Sequence, residues 1–390
     1  MGSNSIEKVI NRVLFCTSPL QVINARSVMD YLGSNERCSD YVVIIHPLLL
    51  DSTKDIIRNL ARELAYKDVF DFTDINEGLN RKNNQIYSIN KISYLEIKKR
   101  FKDKLDDYRI TIDRISELLI ERIGDIDILF CRRTYRKLDA LFVRACNSET
   151  IGYGIEDGVG DYLPKNWKYK TLNRHEILHS LKEKCYSNLS YYLSLLLTGE
   201  GKMSRRVYYP NLTFTDTFTN IKNDNSTCVR NYFITNIEKL FSEKETHRKR
   251  KVIIFGSLIP DSRFEMDIKR EMDIYNSIIQ QIINTHHVKS SEIWYKHHPR
   301  LDHDSWHYKK ERLNCCIYDY DEKILGDVEL CNRHLKAVYS VGSTSLLYAH
   351  VLFNIDSYLI DIRNEKVHPS SYRKFYSIAK YFGIETLGIG

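Results

Sequence analysis

Proline and glycine are scarce in this 390-residue sequence, at 7 and 16 residues. Long flexible linkers and collagen-like repeats are excluded on that count. No apolar run approaches the ~18–20 residues of a membrane span, and the start lacks the apolar core of a secretory signal. The nine cysteines are odd in number and irregularly spaced, with no Cys-x-x-Cys pair, which argues against a disulfide framework. Cys16, Cys131, Cys315 and Cys316 sit in apolar runs, where cysteine packs as a small hydrophobe. The chain reads as reduced and cytoplasmic. Neither sign of charge dominates: 58 Lys+Arg against 51 Asp+Glu leave +7. That surplus favours an anionic ligand or surface and is too small to indicate nucleic acid.

Hydrophobic residues make up 43% and charged residues 28%, the balance of a soluble globular chain. At ~100–200 residues per domain, the length suits two domains. The 27 tyrosines suit clefts that need ring area together with a hydroxyl. Short apolar runs predict strands over 12–17, 41–46, 67–72, 85–89, 126–131 and 150–155, with helices near 20–31, 53–65, 93–123 and 136–146. The pattern restarts after the charged stretch 243–251. Strands are then expected over 251–255, 292–296, 314–318, 337–341 and 357–362, with helices near 262–285 and 345–353. Apolar strands separated by helices indicate parallel sheets covered on both faces. A hydrophilic segment over 199–226 puts the boundary between 227 and 250. The expected fold is α/β of GT-B type, with two Rossmann-like domains over 11–235 and 250–366 whose parallel sheets face a central cleft. Residues 367–390 are expected to form a terminal helix packing back on the first domain.

In open parallel sheets, ligands bind beyond the carboxyl ends of the strands, so residues just after each strand carry most weight. Glu156-Asp157-Gly158 follows the strand over 150–155. Two carboxylates before a glycine turn can present an acid to a cleft, or cap a helix. His297-His298-Pro299 follows 292–296. A histidine before proline is held extended, and His298 suits a general acid or a charged partner for phosphate. His46-Pro47 also follows a strand, so the dipeptide alone singles out neither histidine. Gly342-Ser343-Thr344-Ser345 follows 337–341, where hydroxyls and free amides at a helix start bind an anion or simply cap the helix. Gly256, Ser257 and Lys296 lie at strand ends of the same half and join Ser343, Thr344 and Ser345 as candidate nucleotide and phosphate contacts.

The order of these motifs resembles that of bacterial sialyltransferases, which share (Asp/Glu)-(Asp/Glu)-Gly, His-Pro and Ser-Ser/Thr. Leu14-Phe15-Cys16-Thr17-Ser18-Pro19-Leu20-Gln21 is similar to the start of capsule polysialyltransferases and lipooligosaccharide sialyltransferases. The likeness covers about 12–352 and is greatest to the capsule polysialyltransferases. It implies inverting transfer from CMP-sialic acid to a sialylated glycan, with no metal or other cofactor. Glu156 would be the base, with Asp157 as the alternative, and His298 the acid at the departing phosphate. Ser343, Thr344 and Ser345 would hold that phosphate, although Gly342-Ser343-Thr344-Ser345-Leu346 offers two Ser/Thr pairs. A base on one face and charge neutralisation at the leaving group suit an oxocarbenium-like transition state.

Arg132, Arg133, Arg136 and Lys137 follow the strand over 126–131. Four cations at a helix start oppose the helix dipole, and an anionic acceptor in the cleft would use them. Asp319 and Asp321 could form a metal-binding DxD or cap a helix. His303 and His307 have helical metal spacing without an obvious third ligand. The run Arg248-Lys249-Arg250-Lys251 is either solvated or in peripheral contact with anionic inner-membrane lipids or capsule assembly proteins. Other readings are a lipooligosaccharide sialyltransferase adding one residue, a teichoic-acid-type glycerophosphotransferase, and a non-catalytic glycan-binding protein on the same scaffold.

Overall fold

Parallel strands need crossover connections, and the helical stretches between the apolar runs supply them. The computed structural model describes residues 9–33, 37–46, 49–75, 110–132, 142–147, 149–156, 158, 162, 215–222, 226–242, 245–256, 268–298, 301–320, 322, 325–362 and 370–388. Among these, one sheet holds β1 (Ile10–Cys16), β2 (Cys38–Ile44), β3 (Asp68–Asp71), β4 (Ile128–Arg132), β5 (Ile151–Ile155), β6 (Asp216–Thr219) and β7 (Thr227–Cys228). Its order is β3-β2-β1-β4-β5-β6-β7. The other holds β8 (Val252–Phe255), β9 (Ile293–Lys296), β10 (Cys316–Ile317), β11 (Ala337–Ser340), β12 (Asp356–Asp361) and β13 (Glu385–Gly388), in the order β10-β9-β8-β11-β12-β13. Every described strand pair is parallel. Between the strands run α1 (Pro19–Leu32), α2 (Asp51–Glu63), α3 (Arg230–Leu240), α4 (Ile268–His286), α5 (His303–Arg312), α6 (Thr344–Val351) and α7 (Ser370–Phe382). Residues 110–122 are also helical.

Side chains alternate across each strand, and the core divides accordingly. Leu14, Cys16, Val42, Ile44 and Phe130 pack on one face of the first sheet. Val13, Phe15, Tyr41, Val43 and Leu129 pack on the other. The first of these clusters continues into Val252, Ile253, Ile254 and Phe255 of the second sheet, so one apolar core runs through both. Helix α3 is the seam. Its Asn236 donates to the Asp30 carboxylate of α1 at 2.9 Å, and its Phe233 ring lies 5.1 Å from that of Tyr348 on α6. Arg230 donates to the Leu352 carbonyl at 2.9 Å.

Three strands depart from the apolar pattern. The hydrophilic stretch over 199–226 contributes β6, whose Asp216-Thr217-Phe218-Thr219 has a single large apolar residue. β7 is two residues long, and β13 follows α7 to extend the second sheet along β12. Phe382 at the end of α7 meets the ring of Tyr162 at 6.2 Å. The strand expected over 85–89 and the first part of the helix expected over 93–123 lie outside the described residues. Among the described residues no helix is long and apolar enough to cross a membrane.

Candidate active site

The strand order brings the motifs to neighbouring carboxyl ends. In the first sheet β4 ends at Arg132 and adjoins β5, after which comes Glu156. In the second sheet β9, β8 and β11 are consecutive neighbours, followed by His297-His298, Gly256 and Val341-Gly342-Ser343 respectively. Adjacent strands lie ~4.8 Å apart, so the outer two of these ends are separated by roughly 10 Å.

Glu156 is buried, at 2% exposure, and its carboxylate is fully engaged. Oε2 accepts from the Asn220 amide at 2.9 Å and from the Tyr162 hydroxyl. Oε1 accepts from the hydroxyl of Tyr348. Tyr348 comes from α6, the helix that Ser343 caps. Two residues beyond Glu156, Gly158 adopts φ +131°, a left-handed conformation that favours glycine. A side chain there would begin 3.1 Å from Thr344 Oγ1. The acid loop and the Ser/Thr helix therefore touch directly.

The Ser/Thr motif divides its roles. The Ser343 side chain accepts from the Ser345 amide at 3.2 Å and caps α6. Ser345 is buried and hydrogen-bonds the Asp327 carboxyl, which burial pushes up to about 6. Ser343 and Thr344 are half-buried. Of the two Ser/Thr pairs, Ser343-Thr344 is the one at the acid loop, because Ser345 is turned inward.

The histidine pair also divides. The ring of His297 stacks on Tyr320 at 5.8 Å and 12°, and its buried Nδ1 has no partner among the described residues. Burial, with the charges of Lys296, His298 and Lys309, lowers its pKa to about 4. His298 is half-buried at the same strand end. Lys296 is buried beneath them with its ammonium 4.5 Å over the Tyr318 ring, and burial lowers it to about 8.

Gly256 has a packing reason. Its amide donates to the Lys296 carbonyl at 2.8 Å, and a Cβ would lie 2.4 Å from Tyr295 Oη. That hydroxyl accepts from Lys309, which forms a buried ion pair with Glu271 at 2.5 Å. Gly256→Ala is therefore expected to destabilise the protein by about 1–3 kcal/mol through overpacking. The melting temperature should fall by several degrees, since ~1 kcal/mol moves it by about 2–4 °C at this domain size. Tyr295→Phe in the Ala background should recover part of that loss, and an unchanged melting curve for the single variant would refute the packing account.

Arg132 is buried, at 4% exposure, in register with Ile155. Arg133, Arg136, Lys137, Asp157 and Ser257 lie outside the described residues. His46 is half-buried beyond the end of β2, in the other sheet from Ser343. Asp319 is exposed and 3.9 Å from Lys310, while Asp321 is not described. His307 pairs with Glu311 at 3.2 Å on the surface. Among the described residues no three His, Cys, Asp or Glu side chains gather as a metal site. Within the basic linker run, Arg250 is neither solvated nor available to lipid. It is buried, bonded to Glu322 and Glu329 at 3.0 Å, and stacked on Trp294 and Tyr318.

Tyr162, Asn220, Tyr348 and Asn24 are the residues that sequence reasoning missed. Asn24 donates to the Glu156 carbonyl at 3.0 Å. Only Tyr348 had a readable signal, standing four positions after Thr344 on one helix face.

Residues 12–361 match the family described as alpha-2,8-polysialyltransferase. The chain belongs to that family. It is accordingly a glycosyltransferase of the sialyltransferase kind, and the resemblance in its motifs extends over most of its length. No curated protein matches the sequence. Among solved structures, the 2,6-sialyltransferase of Vibrionaceae Photobacterium sp. JT-ISH-224, in a ternary complex with donor product CMP and acceptor substrate lactose, is 13% identical. That match covers 97% of this chain and 78% of that one at a TM-score of 0.50. The GT-B domain of a Photobacterium damselae sialyltransferase is 11% identical over 97% and 99% of the two chains, with a TM-score of 0.49. E. coli heptosyltransferase WaaC with ADP-2-deoxy-2-fluoro heptose is 8% identical over 93% and 91%, with a TM-score of 0.41. The two parallel sheets are a GT-B fold.

Proposed function

We propose that this family member transfers sialic acid from CMP-sialic acid to the non-reducing end of a sialylated acceptor, with inversion and without a metal ion, and so elongates capsular polysialic acid. The observation that carries the reading is the double contact of α6 with the acid loop, Thr344 at Gly158 and Tyr348 at Glu156. It joins a carboxylate to a helix start suited to one phosphate. Residues 11–235 would bind the acceptor and 250–366 the donor, with 367–390 packing back on the first domain. The enzyme would work in the cytoplasm, in peripheral contact with the inner membrane or capsule assembly proteins.

In this reading the Ser343 and Thr344 hydroxyls at the start of α6 hold the donor phosphate. His298 gives a proton or positive charge to the departing CMP. Glu156 takes the proton of the acceptor hydroxyl.

The test is CMP release from CMP-sialic acid with sialylated oligosaccharides, with and without excess EDTA, and with product lengths measured. A nucleoside monophosphate donor has no diphosphate for a metal to clamp, so turnover is expected to persist on chelation. Loss of activity that Mg²⁺ or Mn²⁺ restores would revive Asp319 and Asp321 as metal ligands. Products stopping after one addition would favour the lipooligosaccharide type of transfer.

A further inference from the structure

We propose that Tyr348 is the positioning residue through which the Ser343-Thr344 helix of the second sheet sets the Glu156 carboxylate of the first. The inference rests on the function proposed above. Thr344 and Tyr348 stand four apart on α6, hence on one face. Thr344 meets Gly158 and Tyr348 meets Glu156, so one helical turn grips the loop at two points.

Hydrogen-bond accounting fixes the direction of the Tyr348 bond. The Asn220 amide nitrogen has two protons. One goes to Asn24 Oδ1 at 2.8 Å and the other to Tyr348 Oη at 3.0 Å. The Tyr348 hydroxyl is thereby an acceptor from Asn220, and its own single proton is left for Glu156 Oε1. The ring is wholly buried and packs edge-on against Phe233, which leaves the hydroxyl little freedom. Burial, and then the Glu156 charge, hold the phenol well above its ordinary pKa, so it stays a proton donor. A phosphate that orders the start of α6 would thus order the carboxylate too, through one rigid helix.

Tyr348→Phe keeps the ring and removes the bond. The expected result is a fall in kcat of about 10- to 100-fold, the range for one hydrogen bond to a charged group. The KM for CMP-sialic acid and the calorimetric Kd for CMP should stay within about twofold, a split that a purely structural role would not give. Should the Phe variant fail to fold, 3-fluorotyrosine at 348 keeps shape and hydroxyl while altering donor strength, and kcat must still move. A kcat within about twofold of wild type, with Glu156→Gln inactive, overturns this inference and leaves the proposed function standing. Activity in both Tyr348→Phe and Glu156→Gln would instead remove Glu156 as the base.

Discussion

Glu156→Gln is expected to lower turnover by ~10²–10⁴, the usual worth of a general base, while CMP still binds. The substitution suits this site unusually well. The amide oxygen can go on accepting from the Asn220 amide and the Tyr162 hydroxyl, the two donors at Oε2. Its nitrogen would replace Oε1 opposite the Tyr348 hydroxyl, so that one bond is lost while the buried packing remains. Shape and burial survive, and basicity is lost. Glu156→Ala would be a poorer experiment. It would strand three donors in a buried site, at about 1–3 kcal/mol for each unsatisfied group, and confuse lost folding with lost chemistry. Single-turnover rates with saturating donor, beside calorimetric binding of CMP, separate the two effects. A Gln variant keeping most of its rate would mean that the carboxylate only ties the sheets together, and the base would then be sought in Asp157.

How far this site can be read from sequence depends on where each ordering force lies. The strands β1, β2, β8 and β11 announce themselves because burial on both faces demands unbroken apolar runs. β6 and β7 do not, since two to four residues at a sheet's flank are ordered by backbone pairing rather than by burial. The acid, histidine and hydroxyl motifs are legible because the parallel topology puts every strand end on one side. Their supports are not. Nothing near Ser345 reveals that its hydroxyl turns to Asp327, and the Glu156–Tyr348 bond spans 192 residues. Arg250 shows the same limit in reverse. A run of four cations reads as solvated surface, yet Glu322, Glu329 and two aromatic rings bury that one member.

His298→Ala should depress kcat by ~10²–10⁴, with His46→Ala well under tenfold by contrast. Both histidines precede proline at a strand end, so the difference has to come from their surroundings. His46 follows β2 in the first sheet, whereas His298 follows β9 in the second, with β8 between it and β11. Two strand spacings are roughly 10 Å, a span that a bound nucleoside monophosphate bridges. His298 is thus on the side where the departing phosphate would be held by Ser343 and Thr344, and His46 is not. Its neighbour cannot take its place. With a pKa near 4, His297 is uncharged at neutral pH and has no proton to give beyond the one on its neutral ring. Saturating-donor rates for His298→Ala, His297→Ala and His46→Ala, each with its CMP affinity, test the ranking. His297→Ala should act mainly through lost stacking on Tyr320, lowering stability more than rate. Equal rate losses at His298 and His46 would show that the leaving group is not held at the second sheet, and the assignment of Ser343 and Thr344 would fall with it.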